Sequence, residues 1–278
     1  MTFELLALRK DWFYHHEEQE LRFAGLMKII NKAYDKARFK YGIIETTRIK
    51  YPNAIPADLQ LSTVDGFALF ILLGPEKAFQ ELKEKHNYTR DFSTVSSNLE
   101  QSFNCDIPEQ YLSSFDLNNL NDVKITIVDN DFELDDKTTN RVLGSAGFRI
   151  YAHGNKDDSI LDLELTAFTS YMRKLGPKIL NLIIDKCLLN EKLLSKLYPT
   201  LGPLEQYNKI IIHADVIKEH GLVQYYVNNC TFQQADKKDI FYEVSEDKKV
   251  KSEGTLEEGI LATRSFTISF IYREILLK

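Results

Sequence analysis

Polar and apolar residues alternate from Ser159 to Thr169, and this period of two is typical of a β-strand. One face of the strand would carry Ile160, Asp162, Glu164, Thr166 and Phe168, and the other Leu161, Leu163, Leu165 and Ala167. From Ile179 to Leu197 apolar residues recur at helical spacing instead. Pro177 suits the first turn of a helix, because its missing N–H needs no partner there. The pattern therefore predicts a strand that leads through a short turn into a long amphipathic helix.

Similar patterns predict the other elements of the chain. Helices are expected over about 17–40, 76–86 and 221–232, and strands over 67–73, 123–128, 141–151, 209–217 and 264–272. The turn at His153, Gly154 and Asn155 indicates that strands 141–151 and 159–169 form a hairpin. Gly144 and Gly147 favour a bulge or the close approach of another backbone. Residues 88–122 are polar and weakly periodic, which predicts an inserted segment with one or two short helices and some mobility.

The turn before the long helix has the chemistry of an anion site. Arg173, Lys174 and Lys178 surround it with positive charge, and Gly176 lets a ligand approach the backbone without meeting a Cβ. A helix N-terminus offers free N–H donors and the positive end of the helix dipole. The turn is thus a candidate phosphate or pyrophosphate site, and the alternative is an ordinary strand-to-helix connection with solvated lysines.

The stretch Phe168–Lys178 resembles the acetyl-CoA loop of the GNAT (Gcn5-related) N-acetyltransferase superfamily. The signature of that loop is Arg/Gln-x-x-Gly-x-Gly/Ala after the fourth strand. Arg173 and Gly176 fit this signature, whereas Lys178 stands where a small residue is usual. Pro177 also removes one amide that such a loop could direct at the pyrophosphate.

Neighbouring stretches are similar to the same superfamily in order and spacing. Residues 221–232 are similar to its next helix, which ends in an aromatic-Tyr-x-x-x-Gly-Phe pattern. Thr231 replaces that glycine, and one extra residue lets either Tyr225 or Tyr226 match the family tyrosine. The run Ile29–Tyr34 resembles the first helix, and strand 264–272 stands where the family has its last one.

The resemblance implies an α/β (α+β) fold with a GNAT-like mixed, mostly antiparallel central sheet flanked by helices. Residues 1–278 would form a single acetyltransferase domain with an inserted segment at about 76–122, since no Pro/Gly/Ser-rich linker divides the chain. Acetyl-CoA would bind with its pyrophosphate at the helix start. The residues implied in its binding are Phe168, Thr169, Arg173, Lys174, Leu175, Gly176, Pro177 and Lys178.

Transfer of acetyl to an amine requires a base, and the departing CoA thiolate requires a proton. Asp162 and Glu164 share one strand face, where some relatives supply the base; alternatively they are solvated or salt-bridged. Tyr225 or Tyr226 would give the proton, although both could simply cover the sheet. A strand amide near Phe168 would donate a hydrogen bond to the developing oxyanion. His213, within an apolar strand, is more typical of a satisfied core histidine.

Composition and motif spacing argue against several other functions. The net charge of −6 over 278 residues argues against a nucleic-acid partner. Three cysteines without CxxC spacing disfavour disulfides or zinc, and the acidic loop 129–139 lacks the EF-hand order. The aromatic and histidine cluster 11–16 is expected to pack on the following helix rather than bind a metal. With no signal peptide and no apolar run near ~18 residues, no membrane association and a cytoplasmic or nuclear location are expected.

Three hypotheses remain from the sequence. The first is an acetyl-CoA-dependent N-acetyltransferase, with no metal, that acts on an amine of a small molecule or peptide. The second is a catalytically inactive CoA-binding or regulatory protein of the same fold, because Pro177, Lys178 and Thr231 depart from the family pattern. The third is an unrelated α/β protein that binds another phosphorylated ligand at the same turn.

Overall fold

A single mixed sheet of ten strands organises the described part of the chain, which in this computed structural model comprises residues 2–14, 19–93, 95–151, 157–251 and 260–277. The strands are β1 (Glu4–Arg9), β2 (Phe67–Leu73), β3 (Lys124–Ile127), β4 (Val142–Ile150), β5 (Ile160–Ser170), β6 (Lys209–Ile217), β7 (Gln233–Gln234), β8 (Ile240–Val244), β9 (Val250–Lys251) and β10 (Phe266–Leu276). They lie in the order β3-β1-β2-β4-β5-β6-β10-β8-β9, and β7 also pairs with β10.

Most neighbouring strands are antiparallel, and the pairs β1–β3 and β5–β6 are parallel. The structure therefore confirms the predicted α/β (α+β) class with a mixed, mostly antiparallel sheet flanked by helices. The predicted hairpin is confirmed too, since β4 pairs antiparallel with β5. The turn residues predicted for it at 153–155 lie outside the described residues.

Helices cover both faces of the sheet. They are α1 (Gln19–Tyr41), α2 (Ile55–Asp58), α3 (Glu76–His86), α4 (Leu99–Ser102), α5 (Asp136–Thr139), α6 (Leu175–Ile183), α7 (Glu191–Leu197) and α8 (Leu222–Cys230). Alternate residues of β2 enter two core clusters, one shared with α1 and the other with α3, α6 and α8. This burial on both faces explains why β2 has an uninterrupted apolar sequence.

The long helix predicted over 179–197 is two helices, so that expectation was wrong. A π-helical turn, Ile184–Leu188, continues α6, and the chain then breaks at Asn190. The Asn190 side chain accepts a hydrogen bond from the Leu193 amide at 3.1 Å and so caps α7. The apolar spacing continues across this break, because both helices place apolar residues in the same core cluster.

Residues 88–122 pack against the domain rather than extending from it. They contain α4 and two short 3-10 helices, Glu109–Ser114 and Leu117–Asp122. Their buried residues are Arg90, Phe92, Ser96, Ser102, Cys105, Ile107, Phe115 and Leu120. The predicted mobility of this segment therefore finds no support in its packing.

Other expectations concern aromatic packing, cysteines, metals and membranes. Trp12 and Phe13 pack on Phe23 of α1, with ring centroids 5.7 and 6.0 Å away, as predicted for the aromatic cluster; His15 and His16 are not described. The three cysteines are buried and unpaired. Within the described ranges no His/Cys/Asp/Glu group has a metal-binding arrangement, and no helix there is long and apolar enough to cross a membrane.

Candidate functional site

The parallel strands β5 and β6 separate halfway along their length. They pair from Ile160 and Lys209 up to Glu164 and His213. Beyond that point β5 continues against β4, and β6 continues against β10. A cavity of about 530 Å³ lies at this opening, and strands β4 to β6, helix α1, residues 44–64, helix α8 and Lys237 contribute to its lining.

A β-bulge lies beside the opening. Ser145 pairs with Thr169 and Gly147 with Thr166, so two residues of β5 face one residue of β4. Ala167 has a φ of +46°, which is uncommon for a residue with a side chain. The buried Ser145 hydroxyl donates to the Ala167 carbonyl oxygen at 2.8 Å, and the Ser145 amide donates to Oγ1 of Thr169 at 2.9 Å. A bulge removes backbone groups from the strand ladder, and such groups can serve a ligand.

Because of the bulge, the residues on the two faces of β5 differ from those predicted from the sequence. Ala167 belongs to the core cluster shared with α1, whereas Leu161, Leu163 and Leu165 belong to the opposite cluster. Phe168 packs on that opposite side, with its ring 5.9 Å from the ring of Tyr226. Phe168 therefore does not share a face with Glu164, because the extra residue reverses the alternation.

The predicted phosphate turn ends in a helix start with a close contact. Lys174 is the N-cap of α6 in the left-handed conformation, with a φ of +62°. A Cβ added to Gly176 would lie 2.6 Å from Oη of Tyr225 and 3.4 Å from Cζ of Phe168. Gly176 is thus required where the side chains of α8 and β5 approach the first turn of α6.

The eight residues predicted to bind acetyl-CoA divide into two groups. Phe168 and Thr169 line the cavity, although the Thr169 hydroxyl is engaged by Ser145. The others lie at the helix start outside the cavity lining: Arg173, Lys174, Leu175, Gly176, Pro177 and Lys178. Lys174 and Lys178 are exposed, and Leu175 is buried in the core. Arg173 forms an exposed ion pair with Glu109 of the inserted segment.

Glu164 and Asp162, which were predicted as candidate catalytic bases, both interact with a neighbouring side chain. Glu164 lines the cavity and forms a bidentate ion pair with Arg149, whose Nη2 and Nε donate to the two carboxylate oxygens at 2.7 and 3.0 Å. Asp162 is buried outside this cavity, and its Oδ1 lies 2.8 Å from Nε2 of His213. His213 also stacks on Tyr151, with ring centroids 4.2 Å apart. Of the pair, only Glu164 is therefore brought to the cavity.

Both predicted tyrosines line the cavity, and they differ in exposure. Tyr226 is buried between the rings of Phe168 and Phe232, while Tyr225 is partly exposed and places its hydroxyl beside Gly176. Burial raises the pKa of Tyr225 to about 12 and also raises the pKa of Tyr226. Both phenols therefore keep their protons at neutral pH and can act as donors.

An arginine of the loop after α1 was missed from the sequence. Arg48 forms an ion pair with Asp58 at 3.0 Å, donates to Oγ1 of Thr166 at 3.0 Å, and lies 4.3 Å from the ring centroid of Tyr34. Residues separated by more than a hundred positions meet here, so no local pattern could have indicated the group.

The most consequential residue missed is Asp215. It lies on β6 just beyond the last β5–β6 pair, lines the cavity and remains open to solvent. Desolvation by the surrounding protein, and then the Glu164 carboxylate, raise the pKa of Asp215 to about 6. Its cross-strand neighbour is Phe270, and Nζ of Lys237 lies 3.6 Å from that ring's centroid. A single acid inside the apolar strand 209–217 was the signal that could have found it.

Comparison with known proteins gives a matching family model and remote likenesses to solved structures, including two acetyltransferases. A model of the family described as sporulation protein RMD6 matches residues 1–275. A spermidine N-acetyltransferase SpeG chimera from Vibrio cholerae and hSSAT is 10% identical in sequence, with a TM-score of 0.33. The match covers 98% of this chain and 95% of the chimera chain. A Bacillus subtilis acetyltransferase in complex with CoA is 14% identical in sequence, with a TM-score of 0.20. The match covers 48% of this chain and 78% of the acetyltransferase chain. No curated protein is significantly similar in sequence.

Proposed function

This chain belongs to the sporulation protein RMD6 family, and we propose that it is an acetyl-CoA-dependent N-acetyltransferase that acts on an amine of a small molecule or peptide. The observation that carries the proposal is the separation of β5 and β6 beyond Glu164 and His213. This opening lies beside a bulge and close to the start of α6, and it contains a carboxylate suited to proton transfer.

The charge and the helix dipole at the start of α6 suit acetyl-CoA as a substrate. The N-terminus of α6 favours an anion such as a pyrophosphate, although Gly176 itself is buried against the Tyr225 hydroxyl and the Phe168 ring. Lys174 and Lys178 are exposed on either side and add positive charge. Phe168 and Tyr225 approach Gly176 from β5 and α8, so they would border the bound substrate. Acetyl-CoA supplies the activated acetyl group when it is bound.

We assign the role of base to Asp215. A carboxylate with a pKa of about 6 is largely deprotonated at neutral pH, yet it is more basic than an ordinary aspartate. Glu164 and Asp162, the bases predicted from the sequence, are held by Arg149 and His213, respectively. Asp215 would accept the proton of the attacking amine. Tyr225, with its hydroxyl near the helix start, would give a proton to the departing thiolate.

Acetyl-CoA is expected to raise the melting temperature of the protein, whereas ATP and NAD at the same concentration are not. A ligand at about 100 times its dissociation constant adds ~2.7 kcal/mol to the free energy of unfolding. In a protein of this size, each kcal/mol corresponds to roughly 2–4 °C. Differential scanning fluorimetry measures the shift. Absence of any shift at millimolar acetyl-CoA would argue against the proposed function, and an equal shift with ATP would favour a general phosphate site.

A second candidate is a protein of this fold that binds CoA without transferring acetyl. The engagement of Arg173 by Glu109 favours it, because that arginine matches the first position of the family signature. The absence of an N–H at Pro177 acts in the same direction. Release of free thiol from acetyl-CoA, measured with a panel of amines, separates the two functions. Binding without thiol release for any amine would favour the second candidate.

Glu109→Gln is expected to tighten acetyl-CoA binding by a few-fold. The substitution frees Arg173 and removes a negative charge near the proposed pyrophosphate site. The effect should be small, because exposed ion pairs contribute about 0–1 kcal/mol. Isothermal titration calorimetry measures it, with Glu100→Gln as a control that removes the same charge elsewhere in the inserted segment. Weaker binding by Glu109→Gln would show that Glu109 supports the site rather than competing for it.

A further inference from the structure

The inserted segment contacts the turn between β5 and α6 directly at two residues and reaches a third through Lys36. The Ile107 amide donates to the Tyr171 carbonyl oxygen at 2.7 Å, and Glu109 forms its ion pair with Arg173. Asp106 forms an ion pair with Lys36 of α1. The Lys36 ammonium in turn donates to the Ser170 carbonyl oxygen at 3.0 Å. Residues 106–109 thus reach residues 170–173 both directly and through Lys36.

The Lys36–Asp106 pair is mostly withdrawn from water. The two side chains are 16% and 29% exposed. Burial lowers the pKa of Lys36 and raises the pKa of Asp106, and each charge counteracts the effect on the other. Removing either partner would leave the other charge uncompensated in a partly buried site. Each group therefore stabilises the charged form of the other.

Tyr171 anchors the same turn inside the domain. Its side chain is fully buried, its hydroxyl donates to the Ile29 carbonyl oxygen, and its ring meets Phe92 edge-on at 5.1 Å. The Lys36 ammonium lies 4.7 Å from the centroid of this ring. Lys36 therefore contacts the turn at both Ser170 and Tyr171.

Hydrogen bonds from Arg90 and Tyr88 hold residues 105–106 of the inserted segment. Nε of Arg90 donates to the Cys105 carbonyl oxygen at 2.6 Å, and Nη1 donates to the Asn140 carbonyl oxygen at 3.1 Å. The Tyr88 hydroxyl donates to the Asp106 carbonyl oxygen at 2.9 Å. Residues 105–106 are consequently held against the domain and can hold Lys36 in place.

We propose that Asp106 and Lys36 are positioning residues that set the conformation of the acetyl-CoA turn, residues 170–176. Lys174 adopts a left-handed conformation there, which a residue with a side chain keeps only when its surroundings hold it. The backbone groups at the start of α6 bind an anion well only if their directions are fixed in advance. The inserted segment thereby controls cofactor affinity without touching the reacting atoms. This inference rests on the proposed function, because it takes the turn to be the pyrophosphate site.

The test compares Asp106→Asn and Lys36→Met with the full-length wild type. Both variants are expected to weaken coenzyme A binding about tenfold, as when a charged hydrogen bond that orders a binding group is lost. The KM for acetyl-CoA should rise in parallel, while the KM for the amine stays unchanged. Lys36→Arg should recover part of the affinity, because it retains the charge and the donors. Calorimetry gives the affinity, and steady-state kinetics gives the two KM values.

A matched control is Glu4→Gln, which breaks the Glu4–Arg141 ion pair, where the two side chains are 29% and 13% exposed. It should leave coenzyme A affinity unchanged. Equal losses in Glu4→Gln and Asp106→Asn would overturn the proposal, since the effect would then reflect general destabilisation. Unchanged affinity in both Asp106→Asn and Lys36→Met would overturn it as well.

Amide hydrogen exchange in the unliganded protein tests the inference independently of the proposed function. Residues 170–176 should exchange faster in Asp106→Asn and Lys36→Met than in wild type or Glu4→Gln. If wild type fails to bind coenzyme A but this difference is present, the proposed function fails and the positioning role stands. If exchange of the turn is unchanged in both variants, the positioning role fails.

Discussion

Asp215→Asn is expected to lower the rate of acetyl transfer by roughly 10²–10⁴-fold, the usual contribution of a general base. Asparagine has the same shape as aspartate but cannot take a proton from the attacking amine. Because Asp215 faces the cavity from β6 rather than the helix start, acetyl-CoA binding should be unaffected. The measurement is kcat and KM for both substrates. Asp122→Asn, an identical change at an exposed position outside the cavity lining, should behave as wild type.

The pH dependence gives a second measure of the same residue. Asp215 has a pKa of about 6, so it is deprotonated above that pH and protonated below it. The value of kcat/KM should therefore fall as the pH drops through about 6, and this acid limb should be missing in Asp215→Asn. If Asp215→Asn keeps the wild-type pH profile, Asp215 is not the base, and Glu164 becomes the next candidate.

The same shift predicts how stability should respond to Asp215→Asn. A carboxyl group with a raised pKa binds its proton more tightly in the folded state than in the unfolded chain. Its charge therefore opposes folding at a pH above about 6, and this opposition is lost as the pH falls through that value. Asp215→Asn should melt no lower than wild type at pH 8, so lost activity could not be ascribed to unfolding.

Gly176→Glu is expected to weaken acetyl-CoA binding by at least about 100-fold, because the new carboxylate would occupy the proposed anion site and repel the pyrophosphate. The new Cβ would also meet Oη of Tyr225 at 2.6 Å. The variant should melt lower than wild type, because Gly176 is buried and the new side chain must displace the Tyr225 hydroxyl, and the favourable interaction of an acidic residue with the helix dipole offsets only part of this loss. The measurement is acetyl-CoA affinity by calorimetry, together with the melting temperature.

Two controls separate charge from steric contact at this position. Ser195→Glu adds the same charge at an exposed position of α7 and should leave affinity unchanged. Gly176→Ala adds only the Cβ, and combining it with Tyr225→Phe removes the hydroxyl that the Cβ would contact. Affinity should be higher in the double variant than in Gly176→Ala. Wild-type affinity in Gly176→Glu would place the pyrophosphate elsewhere and favour a different phosphorylated ligand for this turn.

Local patterns predicted which elements this chain contains. Alternation identified β5, helical spacing identified α1, and the apolar run at 67–73 identified β2. These predictions succeeded because each element buries one face, or both, against the same core along its length. The resemblance to acetyltransferases then ordered the elements correctly as a mixed, mostly antiparallel sheet. It also directed attention to Gly176 and Tyr225, which the fold brings together.

The sequence by itself therefore determined the types of the main elements and the position of the strand-to-helix turn before α6, since these follow from residues close together in the chain. The tertiary structure decided what depends on partners far along it. The Ala167 carbonyl at the bulge accepts a hydrogen bond from Ser145, and the turn is contacted by residues 106–109 and Lys36. The choice of Asp215 over Asp162 depends on which carboxylates find a cationic or imidazole partner and which remains open to the cavity. Such pairings are set by packing between separate elements, and no period or spacing in the sequence encodes them.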